Sequence, residues 1–127
     1  MKRKLIASGY EYEDTFGYSR AVRVGRSVYM SGTTARGEDL RGDAYMQAEA
    51  ILKIVAGALK EAGATMKDVV RTVTYVTDVD ADEGGVARAH REAFGKVRPA
   101  STLVGVSRLL DPKARVEIEV TARIADD

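Results

Sequence analysis

The stretch from Gly17 to Gly32 does most to constrain what this chain can fold into. It reads as two short strands meeting at Gly25-Arg26. Val22 and Val24 alternate with Arg23 before the turn, and Val28 and Met30 alternate with Tyr29 after it, the period of a half-buried ribbon. The second strand runs into Ser31-Gly32-Thr33-Thr34, small polar residues where a glycine lets another group approach the backbone closely. On periodicity alone this is a hairpin opening a small α/β domain.

The flanking segments supply the other layers. Lys4 to Ala7 predicts a first strand, followed by Gly9-Tyr10-Glu11-Tyr12-Glu13-Asp14, a polar and aromatic connector. Arg36 to Gly42 reads as a loop from its glycines and charges. Asp43 is placed to cap a long helix over 43–62, with Gly63 at the left-handed stop position. Met46, Ala50, Ile51, Ile54, Val55, Ala58, Leu59 and Ala62 form its apolar face.

Val69 to Thr77 is dense in β-branched residues, an interior strand. Asp78 to Gly85 reads as a loop or the frayed start of a second helix over 86–94, which Arg98-Pro99 breaks. Ser101 to Val106 is another strand, and Leu109 to Lys113 a turn. In the last strand, Arg115 to Ile124, Val116, Ile118, Val120, Ala122 and Ile124 share one face. Arg115, Glu117, Glu119, Thr121 and Arg123 share the other. The order β-β-β-α-β-α-β-β predicts an α/β (α+β) fold, a mixed sheet with two helices packed on one face. The uncovered face mixes charges with apolar groups, a surface suited to burial against other subunits.

At 127 residues the chain is read as one domain, 1–127. A net charge of +1 without a basic stripe gives no reason to expect nucleic acid or an anionic membrane as partner. No long apolar segment follows Lys2-Arg3-Lys4, so neither a signal peptide nor a membrane span is expected and the cytoplasm is the default compartment. The absence of cysteine removes disulfides, thiolate nucleophiles and cysteine metal sites together. A single histidine, His90, cannot build a His-rich zinc site within one chain. No metal or organic cofactor is implied. His90 itself reads as a solvated or packed helix residue rather than a catalytic base.

Across most of its length the chain resembles the RidA family (also called YjgF, or endoribonuclease L-PSP-like). Gly17-Tyr18-Ser19-Arg20-Ala21-Val22 is similar to the family's G-P-Y-S-Q-A-V opening without its proline, and Val28-Tyr29-Met30-Ser31-Gly32 to its V-F-V-S-G strand. Gln47 stands where the first helix usually has glutamine. Leu59-Lys60-Glu61-Ala62-Gly63, Val69-Val70-Arg71, Glu92-Ala93-Phe94, Pro99-Ala100 and Val116-Glu117-Ile118-Glu119 complete the run in order. The resemblance implies a chorismate-mutase-like fold, a homotrimer, and sites between subunits that bind a small molecule. In the deaminating members such sites hydrolyse reactive enamine or imine acids.

By the same carry-over, Glu117 is the catalytic group that positions water, a strand carboxylate acting as general base. Tyr18, Ser31, Gly32, Thr33, Ser101 and Leu103 would line the substrate pocket, with Arg88 a further candidate. The match fails at one position. The sequence reads Pro99-Ala100-Ser101-Thr102, so Ser101 stands where the family's P-A-R-S arginine grips a substrate carboxylate. Losing that pairing removes about 1.5–3 kcal/mol, one to two decades in affinity. Arg88 or Arg98 is a substitute cation, or each is simply solvated; Glu117 equally suits an ion pair, and Tyr18 an interface contact. The implied function is a homotrimeric small-metabolite-binding protein of hydrolase type, with ordinary 2-imino acid deamination in doubt. A non-enzymatic ligand sensor, or an endoribonuclease, is the alternative.

Overall fold

The computed structural model describes residues 2–125. Its six strands are Arg3–Ile6 (β1), Ala21–Val24 (β2), Ser27–Thr33 (β3), Val69–Val76 (β4), Ala100–Gly105 (β5) and Val116–Arg123 (β6). They form one sheet in the order β1-β2-β3-β6-β4-β5. Only β4 and β5 pair in parallel. Two long helices, Ala44–Glu61 (α2) and Val79–Phe94 (α3), pack on one face of the sheet, and a short one, Glu11–Phe16 (α1), precedes the hairpin. The mixed sheet with helices on one side is the predicted architecture. Among the described residues no helix is long and apolar enough to cross a membrane.

The alternation read from β6 sets the core. Val116, Ile118, Val120 and Ala122 are buried beneath the helices, where Ile51, Val55 and Leu59 of α2 and Val86, Ala89 and Phe94 of α3 meet them. Asp43 caps α2, its carboxylate accepting from the Met46 N–H at 2.9 Å. Gly63 stops the helix at φ 87°. The buried stripe of α2 lies slightly aside from the predicted one: Met46 is 54% exposed, whereas Gln47 is wholly buried. Gln47 donates to the carbonyls of Leu40, Gly42 and Lys113 and accepts from the Arg115 N–H at 2.9 Å. It thereby ties the loop before α2 to the start of β6.

Two segments differ from expectation. The predicted loop or frayed start over 78–85 is the first half of α3. Asp78 caps it, accepting from the Ala81 N–H at 3.1 Å, and Asp80 and Asp82 favour its positive N-terminal end. Of the two glycines that suggested a loop, Gly85 serves packing: a Cβ there would lie 3.2 Å from Tyr45 Cβ, so its absence lets α3 close on α2, whereas a Cβ on Gly84 would meet nothing within 4 Å. The predicted connector over 9–14 contains α1, held by edge-on aromatic contacts that run Tyr10, Tyr12, Phe16, Tyr18.

Candidate functional site

The central hairpin turns at Gly25, φ 60°, with Val24 opposite Ser27, as its sequence predicts. Further along β3 the ladder is irregular. Met30 pairs with Val120 and Thr33 with Ile118, so β3 carries one more residue than β6 between those pairs. That is a bulge at Ser31-Gly32, a device that re-aims side chains at sheet positions near functional sites. Gly32 is needed here for a steric reason. A Cβ at this position would fall on Oε2 of Glu117 and lie 3.0 Å from its Cδ. Glycine alone lets the carboxylate rest against the bulged backbone.

Glu117 lies on the sheet face away from the long helices, opposite Tyr75. With Tyr18, Ser31, Gly32, Phe16, Tyr29 and Leu110 it lines an open cavity of ≈ 600 Å³. Burial pushes its carboxyl above the ordinary value; the Arg20 cation pulls the other way and Glu119 adds to the rise. Among the described residues it has no ion-pair partner and receives no hydrogen bond, which leaves both oxygens for a ligand or water. A desolvated carboxylate beside free space is a competent proton acceptor. Glu119, in the same cavity, is engaged instead by the Tyr75 hydroxyl at 3.1 Å.

Beneath this cavity lies a charged cluster that sequence reasoning missed. Arg20 is 1% exposed. Its guanidinium donates to Glu13 Oε2 at 3.1 Å, to the Gly32 carbonyl at 2.7 Å, to Thr33 Oγ1 at 3.1 Å and to the Tyr18 hydroxyl at 3.2 Å. Glu13, also buried, accepts from the Ser8 N–H at 3.0 Å and from the Ser8 hydroxyl. Burial alone would raise the Glu13 carboxyl; the bonds from Ser8 and Arg20 outweigh it and hold the group below its ordinary value. Arg36 stacks on Tyr10, 4.7 Å from the ring centre, and donates to Ser8 Oγ at 2.8 Å. Arg20 thus fixes the bulge carbonyl and Tyr18 together and brings a cation near Glu117. The signal was visible: arginine stands where the G-P-Y-S-Q-A-V pattern has glutamine.

The remaining predicted residues lie elsewhere in the chain. Thr33 faces the core opposite Ile118 and donates to the Ser31 carbonyl at 3.0 Å, shaping the bulge rather than lining the cavity. Ser101 and Leu103 pair with Thr72 and Thr74 on the edge strand β5. They share the helix side of the sheet, whereas Glu117 faces the other side. Arg88 is exposed on α3, 4.2 Å over the Tyr45 ring and 3.8 Å from Glu92. Arg98, at φ 57°, lines a separate cavity of ≈ 520 Å³ with His90 and Arg91. His90 is more than a packed helix residue: its Nε2 lies 2.8 Å from Thr72 Oγ1, which donates to Ser101 Oγ at 2.8 Å. Within one chain, therefore, Tyr18, Ser31, Gly32 and Glu117 converge, and Thr33, Arg88, Ser101 and Leu103 do not join them. Among the described residues no group of three His, Asp or Glu side chains is placed to hold a metal ion.

Comparison with known proteins gives a consistent frame. Residues 11–124 match the family described as endoribonuclease L-PSP. Rv2704 of Mycobacterium tuberculosis, a member of the YjgF/YER057c/UK114 family, superposes with a TM-score of 0.90 at 43% identity, over 97% of this chain and 100% of that one. SCO2049 of Streptomyces coelicolor is 37% identical over 125 residues, 94% of this chain and 90% of its own. The mouse 2-iminobutanoate/2-iminopropanoate deaminase is 34% identical over 125 residues, again 94% and 90% of the two chains. Motifs, fold and relatives agree: the chain belongs to the endoribonuclease L-PSP family, the RidA/YjgF proteins.

Proposed function

We propose that the protein is a cytoplasmic homotrimer whose inter-subunit clefts bind and hydrolyse a small enamine, imine or related metabolite, with Glu117 handling the water. The observation that carries this reading is the Glu117 carboxylate, raised in pKa, unpaired among the described residues and seated against the Gly32 backbone in an open cavity. The position of Ser101 and Leu103 supports a cleft completed by a second copy, since one chain cannot bring them to its own Glu117. Exposed Phe16, Tyr29 and Leu110 around the cavity and Leu103 and Val104 on β5 are apolar surface that assembly would bury.

Relatives such as the mouse deaminase supply the reaction type, and Ser101 limits the substrate. Without a guanidinium at 101 a carboxylate loses its bidentate grip, so the cleft favours a neutral or differently charged compound. The test compares hydrolysis of 2-iminobutyrate with that of its neutral amide, each generated in situ, by protein of measured assembly mass. The reading expects a trimer that turns over the neutral compound faster and a Glu117→Gln variant that does not. Binding without turnover by the assembled protein would replace it with a ligand-sensor role; a monomer would remove the shared cleft.

A further inference from the structure

We propose that Ser101, Thr72 and His90 form a proton relay that makes the Ser101 hydroxyl an acyl-accepting nucleophile for neutral activated acyl compounds, such as esters. The geometry lies within a single chain. Ser101 is exposed on the edge strand β5, Thr72 beside it on β4 is fully buried, and His90 reaches Thr72 from α3. Both links of the chain are 2.8 Å, from Ser101 Oγ to Thr72 Oγ1 and from Thr72 Oγ1 to His90 Nε2. Those are good hydrogen-bond lengths, and they run unbroken from solvent to an imidazole.

The elements around the relay hold it still. Thr72 is locked in the ladder between β5 and β6, and the His90 ring packs at 4.9 Å on Phe94, which is 1% exposed. Arg98 takes the left-handed conformation at φ 57°, rare for a residue with a side chain, in the turn that delivers β5. His90 also borders the ≈ 520 Å³ cavity, so its ring is not sealed from solvent. Burial lowers its basicity below the usual imidazole value, which keeps it neutral near pH 7 with a lone pair to offer.

At rest Thr72 donates to Ser101. In that state the contact with His90 is an Nε2–H donated to Thr72 Oγ1; rotating both hydroxyls about their C–O bonds and moving the imidazole proton to Nδ1, through the solvent that reaches the ring from the cavity, reverses the chain without moving a heavy atom. Ser101 Oγ then bonds to the acyl carbon as its proton passes to Thr72 Oγ1 and the Thr72 proton passes to Nε2. The bond from the acyl carbon to the leaving alcohol breaks, and the alcohol takes a proton from Thr72 Oγ1 as Nε2 returns its own to Thr72. Water hydrolyses the acyl-serine by the same route, restoring all three groups. A serine in place of the family's arginine is on this reading a change of chemistry as well as a loss of grip.

The inference uses the site residue of the proposed function, but its covalent step needs neither Glu117 nor a partner subunit. The experiment treats the full-length protein with p-nitrophenyl acetate and follows acetylation residue by residue by mass spectrometry. Ser101 is expected to be acetylated faster than Thr102 or Ser107, and Ser101→Ala to lose the signal. Thr72→Val, nearly isosteric, should slow acetylation of Ser101 by about 10²-fold, His90→Gln comparably, and Thr72→Ser should restore it. Acetylation of Ser101 no faster than its neighbours, or unchanged in folded Thr72→Val, overturns the relay. Either result leaves hydrolysis dependent on Glu117 to be judged by its own assay.

Discussion

Replacing Arg20 by methionine tests the claim that a buried cation organises the bulge. Arg20 is almost wholly buried and spreads its donors over Glu13, the Gly32 carbonyl, Thr33 and Tyr18. Methionine keeps much of the volume and removes every donor. Breaking a buried pair by deleting one partner costs about 3–5 kcal/mol, because the remaining charge is left uncompensated. Here Glu13 keeps two bonds from Ser8, with Arg36 at 4.0 Å, so the lower end applies: about 3 kcal/mol, or about 10 °C in Tm for a domain of this size. Guanidinium titration at one fixed protein concentration is the assay, since assembly makes apparent stability depend on concentration. Glu13→Gln and the double variant complete the cycle, and the double change should cost less than the sum of the single ones by at least about 1 kcal/mol. A loss under about 1 kcal/mol for Arg20→Met, or strict additivity, would refute the reasoning.

Other consequences follow from the same geometry. The Glu117 carboxyl has a raised pKa in the fold, so the folded state binds its proton more tightly than the unfolded chain; its stabilising contribution is full below the ordinary 4.5 and is lost as pH rises through the folded value. Glu117→Gln should therefore raise Tm at neutral pH and leave it unchanged in acid, while abolishing hydrolysis; a gain that persisted in acid would contradict the assignment. Glu13 carries the opposite sign: its lowered pKa gives stability that is present above the ordinary carboxyl value and lost as pH falls, a loss that Glu13→Gln should remove from the acid limb of the melting curve. Gly32→Ala forces its Cβ into Glu117 and should cost about 1–3 kcal/mol, with about 10²-fold lower turnover from the displaced carboxylate. Wild-type melting and turnover in that variant would mean that the close approach does not matter.

Much of this fold was legible because β6 alternates cleanly and α2 has both a cap and a stop. A period-two pattern under two amphipathic helices leaves few other arrangements. The first half of α3 was obscured because Gly84 and Gly85 resemble loop residues, and only the nearness of Tyr45 explains a helical glycine at position 85. At the site, Glu117 and the Ser31-Gly32 backbone were readable from local pattern and resemblance. The Glu13–Arg20 pair and the Ser101–Thr72–His90 chain were not, since both join residues from elements whose pairing no local periodicity reveals. The Ser101–Thr72–His90 chain also changes the reading of Ser101, which the resemblance gave only as a pocket-lining residue in place of an arginine.

The most direct test of the account puts arginine back. Ser101→Arg should restore the carboxylate grip, raising kcat/KM for 2-iminobutyrate by about ten- to hundredfold, and Glu117→Gln on that background should abolish the gain. An unchanged rate in correctly assembled Ser101→Arg protein, or a gain indifferent to Glu117, would contradict a hydrolytic cleft shared between these two residues.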